Sequence, residues 1–88
     1  MIDTAAIRIL VVDDEQRLRD LICSYLEREG FQVLQAADGH AALELARQHA
    51  PDVIVLDLML PGVDGLEVCR RLRSFSDAYV IMLTARAE

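Results

Sequence analysis

Four short apolar runs alternate with three amphipathic stretches along the chain. The runs are RILVV (Arg8 to Val12), FQVLQA (Phe31 to Ala36), VIVL (Val53 to Leu56) and YVIML (Tyr79 to Leu83). Short, largely unbroken apolar segments predict strands covered on both faces. From Glu15 to Glu29, Leu18, Leu21, Ile22, Tyr25 and Leu26 recur at i, i+3, i+4, i+7 and i+8. That spacing predicts an amphipathic helix with the stripe, Tyr25 included, turned to the core, and Gly30 falls just past its end. Asp38 caps a second helix running to about His49, with Ala42, Leu45 and Ala46 inward, and Pro51 closes it. Asp64 and Glu67 have capping-box spacing and open a third helix, with Leu66, Cys69 and Leu72 inward.

The order βαβαβαβ predicts an α/β fold: a doubly wound parallel sheet with helices on both faces. No repeat, linker or low-complexity segment interrupts it. At 88 residues and 53% hydrophobic content the chain is one small domain with enough apolar material for a core. A formal net charge of -6, with every basic residue an Arg, argues against direct nucleic-acid binding, which needs a basic stripe. No apolar stretch approaches the roughly 20 residues that span a bilayer, and the N-terminus lacks the pattern of a signal peptide. The expectation is a cytoplasmic protein with no membrane contact. Cys23 and Cys69 form no CxxC pair or His/Cys cluster and read as packing residues on helices; His40 and His49 read as surface residues.

Asp57 stands alone between VIVL and LML, and a carboxylate in such a place is either at a solvent-reaching strand end or held there for chemistry. In a parallel sheet the C-terminal strand ends share one edge, where ligands bind. Asp13 and Asp14 end the first strand and Asp57 ends the third. If those strands are neighbours, three carboxylates converge, and a hard oxygen-seeking cation, Mg²⁺ above all, compensates them. Helix N-termini at the same edge favour an anion such as phosphate, and Thr84 closes the fourth strand with a hydroxyl. Carboxylate nucleophile, cation site and hydroxyl donor together describe phosphoryl transfer to Asp. Each residue also has a plainer reading: Asp14 as the N-cap of the first helix, Asp13 as a solvated loop charge, Asp57 as a strand-end cap, Thr84 as an ordinary β-branched strand residue, Arg86 as a solvated surface charge. Three acidic positions at two parallel strand ends are harder to explain as three separate plain roles.

The blocks ILVVDDE, VIVLDLMLPGVDGLEVCRRLR and VIMLTARAE, in this order, resemble the receiver domain of two-component response regulators, from Arg8 to the last residue. The wording DLMLPGVDG is similar to receivers joined to winged-helix DNA-binding domains. The resemblance, not the spacing, implies the flavodoxin-like receiver fold with strand order 2-1-3-4. It implies Asp57 as the phospho-accepting residue, and Asp13 and Asp14 as the acidic pair holding Mg²⁺, Asp14 as direct ligand. It implies the backbone carbonyl of Met59 as a third protein ligand, Thr84 as the hydroxyl that moves toward the phosphoryl oxygens, and Ala85 as the small residue beside them. Pro61 and Gly65 match the loop after the nucleophile. The implied role is a phospho-acceptor switch, not a metabolic enzyme, with autophosphatase activity at most. A sensor histidine kinase is the implied partner, and an effector domain, of transcriptional type, the implied target.

A full receiver continues into a fourth helix, a fifth strand and a fifth helix, with a Lys ending the fifth strand. Residues 1–88 therefore read as the N-terminal portion of a receiver, without those elements and with no Lys anywhere. On that reading the apolar fourth strand is an open edge, suited to a homodimer or a strand-exchanged oligomer. Right-handed crossovers would put the first helix on one face and the other two on the opposite face, so Cys23 and Cys69 should not meet. Two other function classes stand beside the leading one. An interaction or dimerisation fragment would keep the fold and lack phosphoryl chemistry. A phosphatase of the haloacid-dehalogenase type would need a second Asp two residues after the nucleophile, where this chain has Met59.

Overall fold

The computed structural model describes residues 3–60 and 62–83. After a 3₁₀ turn at Thr4–Ala6 come β1 (Arg8–Val12), α1 (Gln16–Arg28), β2 (Gln32–Ala36), α2 (Gly39–His49), β3 (Val53–Asp57), α3 (Gly65–Leu72) and β4 (Tyr79–Leu83). All pairings are parallel and the sheet order is β2-β1-β3-β4, the flavodoxin-like arrangement. Leu10 pairs in register with Leu34 and with Ile54, and Val12 with Ala36 and with Leu56.

Alternate residues of these strands serve two cores, as the pleat requires. On one face Leu10, Val12, Ile54 and Leu56 pack with Ala42, Leu43 and Ala46 of α2 and Val68 and Leu72 of α3. On the other, Ile9 and Val11 pack with Cys23 of α1, flanked by Ile22, Leu26, Val53 and Val55. The crossovers thus place α1 opposite α2 and α3. Cys23 and Cys69 lie on different faces, both free, and burial pushes the Cys23 thiol up.

The helix ends follow local chemistry. Asp38 Oδ1 accepts from Ala41 N at 2.8 Å, and Asp64 Oδ1 accepts from Glu67 N at 2.9 Å. The second half of the capping box is replaced: the Glu67 carboxylate takes Arg70 at 2.6 Å and Arg71 at 2.8 Å. Charged donors three and four residues on outbid a backbone amide, and these hydrogen bonds, Arg70 first, hold Glu67 at a pKa of about 2. Gly30, at φ 96, makes the left-handed turn that ends α1.

Three expectations need correction. Tyr25 is 58% exposed and Leu21 67% exposed, while Cys23, outside the predicted stripe, is the buried residue of α1. The helix is rotated so that Ile22, Cys23 and Leu26 meet the sheet, because the face that meets it is set by how the helix crosses the strands and not by apolar spacing alone. Leu66 likewise points outward at 66% exposure, and α3 is anchored by Gly65, Val68 and Leu72. The N-cap position of α1 is held by Glu15, one residue past the Asp14 of the plainer reading, and Glu15 makes no side-chain cap bond.

β4 pairs with β3 at the border of the described sheet, and Tyr79, Ile81 and Met82 are exposed there. No helix among the described residues is long and apolar enough to cross a membrane.

Candidate functional site

β1 and β3 are direct neighbours in parallel register, so their C-terminal ends lie side by side. Asp13 follows β1, and Asp57 is the last residue of β3, opposite Leu83 of β4. Asp13, Asp14 and Asp57 each place a carboxylate oxygen so that the three lie within 4.8 Å of one another. Asp13 is 1% exposed and Asp57 2%, whereas Asp14 is exposed and opens the cluster to solvent.

Backbone geometry aims these groups. Asp13 N donates to Ala36 O at 3.1 Å, tying the end of β1 to the end of β2. Asp13 Oδ1 accepts from Glu15 N at 2.8 Å, and Asp57 Oδ1 accepts from Met59 N at 2.9 Å. Both are Asx turns, in which an Asp side chain accepts from the amide two residues on and fixes its own rotamer. Gly65 then brings the start of α3 against the β3–α3 loop: a Cβ there would sit 2.7 Å from Leu58 Cα and 2.9 Å from Asp57 O.

The donor set is all oxygen, carries three formal negative charges and has one open side. That suits a hard divalent cation of the Mg²⁺ class, which keeps waters and binds through few protein groups. Opposed Mg²⁺ ligands stand about 4.2 Å apart at the usual bond lengths. A set spanning no more than 4.8 Å needs only a small adjustment or one bridging water.

Of the residues singled out from the sequence, Asp13, Asp14 and Asp57 are brought together and Met59 adjoins them through its amide. Thr84, Ala85, Arg86 and Pro61 lie outside the described residues. Two contributors carry no sequence signal as site residues. Arg19 Nη1 donates to the Asp13 carbonyl at 2.7 Å, and Arg19 Nε donates to Gln35 Oε1 at 3.0 Å. An Arg in the first turn of a helix reads as a solvated charge until the fold sets it beside the strand end. At the opposite edge of the sheet, a cleft of about 360 Å³ is lined by Arg47, Asp52, Phe75 and Asp77 among others, and none of the three clustered carboxylates borders it.

Residues 9–88 match the family described as the response regulator receiver domain. The transcriptional regulatory protein ResD of Bacillus subtilis (strain 168) is 47% identical over 88 residues, the whole of this chain and 37% of that protein. The N-terminal domain of a response regulator receiver protein from Methanoculleus marisnigri JR1 superposes with a TM-score of 0.86 at 35% identity, over 94% of this chain and 70% of that one. The BeF3-activated N-terminal receiver domain of Klebsiella pneumoniae RstA gives a TM-score of 0.84 at 33% identity, over 92% of this chain and 69% of that one. The chain thus spans little more than a third of the curated relative and about two thirds of the receiver structures. With the family's sequence pattern, its strand order and its acidic edge all in place, this chain belongs to the response regulator receiver domain family.

Proposed function

We propose that the chain is the N-terminal portion of a receiver in which Asp57 accepts a phosphoryl group from a phosphohistidine of a sensor histidine kinase. The observation that carries this reading is the convergence of Asp13, Asp14 and Asp57 at adjacent parallel strand ends. A carboxylate oxygen of Asp57 attacks phosphorus, an O–P bond forms, the N–P bond breaks and the imidazole leaves. Asp13, Asp14, Asp57 and the Met59 carbonyl would hold Mg²⁺, which supplies charge neutralisation for the transferring group. The Met59 amide fixes the orientation of the acceptor carboxylate, and near-complete burial of Asp13 and Asp57 limits water access. Thr84 and Ala85 are assigned to the phosphoryl oxygens on the resemblance of VIMLTARAE to the family pattern. In the whole protein the phosphorylated state would bias a transcriptional effector, as the name of ResD suggests for that relative. Water attack on the acyl phosphate would return the resting state.

Calorimetric titration with Mg²⁺ tests the cation site. The expected result is one-site binding that Asp13→Asn weakens by an order of magnitude or more, with a rise in melting temperature that grows with Mg²⁺ concentration. Equal binding by wild type and Asp13→Asn would remove the site from this edge.

We propose a second copy of the chain as another partner, because β4 is the border strand of the sheet among the described residues and exposes Tyr79, Ile81 and Met82 there. Sedimentation at rising protein concentration is expected to show mass growing above the monomer. A monomer throughout would remove this partner.

A further inference from the structure

The loop that carries Asp13 and Asp14 is gripped from outside by one cation. Arg19, in the first turn of α1, donates from Nη1 to the Asp13 carbonyl at 2.7 Å and from Nε to Gln35 Oε1 at 3.0 Å. Gln35 lies on β2 opposite Val11 of β1, so the guanidinium bridges α1, β2 and the end of β1. The same loop is held from within by Glu15 N on Asp13 Oδ1 at 2.8 Å. Fixed from both sides, the Asp13 peptide has little freedom to turn. We propose that Arg19, braced by Gln35, is a positioning residue for the divalent-cation site: it sets the backbone of Asp13 and through it the aim of the Asp13 and Asp14 carboxylates. This inference rests on the Mg²⁺ reading given above.

Two opposing physical effects make it testable by sign. The contact that defines the grip is made to the backbone carbonyl of Asp13. Its positive charge near a cation site repels the cation, so loss of the charge alone would tighten Mg²⁺ binding. Loss of the grip would instead loosen the ligands, and partners that orient metal ligands from behind are typically worth about 10–100-fold in affinity. Lys supplies a charge but not the planar fork that reaches Asp13 and Gln35 together.

The experiment is Mg²⁺ affinity by calorimetry, with a thermal melt of each protein, for wild type, Arg19→Gln, Arg19→Lys and Gln35→Ala. Arg19→Gln is expected to bind Mg²⁺ about 10-fold or more weakly. Arg19→Lys keeps the repelling charge and loses the fork, so it should also bind Mg²⁺ more weakly than wild type. Gln35→Ala retains the charge, removes the brace and should weaken binding by a smaller factor; it decides the matter if Arg19→Gln does not fold. Unchanged or tighter binding in the folded variants, including a lowered melting temperature with wild-type affinity, would overturn the inference and leave Arg19 a structural residue. A wild type that takes up no Mg²⁺ would overturn the cation reading itself, a result visible before any variant is compared.

Discussion

Leu56→Ala is expected to cost about 2–5 kcal/mol, the range for truncating a fully buried Leu whose surroundings cannot collapse into the space. Leu56 is 0% exposed and sits on the α2–α3 face of β3, in register with Val12 on one side and Met82 on the other. The total stability of a domain this size is on the order of 4–13 kcal/mol, so the loss is a large share of it. A drop of about 10 °C or more in melting temperature should follow. The effect should reach the site as well. Leu56 and Val12 immediately precede Asp57 and Asp13, and their packing keeps the two strand ends aligned. Mg²⁺ affinity should therefore fall in whatever fraction stays folded. The contrasting change, Leu21→Ala on the 67% exposed position of α1, should lie within about 0.5 kcal/mol of wild type. Thermal melts of both variants check the pair. Equal losses would mean that α1 is turned the other way.

Gly65→Ala is the second large effect, and here the sign is informative. In an ordinary helix Ala is favoured over Gly by about 1 kcal/mol. At Gly65 the added methyl would meet backbone on two sides, Leu58 Cα at 2.7 Å and Asp57 O at 2.9 Å, where neither can swing away as a side chain could. Relief requires α3 to retreat from the loop that follows Asp57, at a cost of about 1–3 kcal/mol. The Asp57 peptide would move with it, and the Met59 N to Asp57 Oδ1 contact at 2.9 Å would be disturbed. Denaturant titration reads the stability change, and a stabilised Gly65→Ala protein would contradict the close approach.

The strands and the N-caps of α2 and α3 were legible because each rests on local chemistry. RILVV and YVIML are strands whose bounds in the structure are those of the apolar runs, and Asp38 and Asp64 cap where their side chains can reach an amide three residues on. The meeting of Asp13, Asp14 and Asp57 was legible only on the condition that β1 and β3 are neighbours, a matter of topology that came with the family resemblance. Orientation was harder to read. The stripe through Leu18 and Tyr25 fits a helix well, but which part of a broad apolar face meets the sheet depends on crossing geometry, and Cys23 took the buried place. Leu66 was misplaced for the same reason, since Val68 and Leu72 already fill the space beneath α3. Arg19 and Gln35 were illegible because their link joins a helix to a strand 16 positions away and leaves no local trace.

Phosphoryl uptake by Asp57, with Asp13 and Asp14 beside it, is the step proposed for this edge. Its most direct test is the intact mass of the chain after incubation with acetyl phosphate and Mg²⁺, beside Asp57→Asn. The expected result is a single phosphoryl adduct on wild type, absent from Asp57→Asn and lost when Mg²⁺ is chelated. No adduct on a folded, Mg²⁺-binding wild type, or an equal adduct on Asp57→Asn, would contradict it.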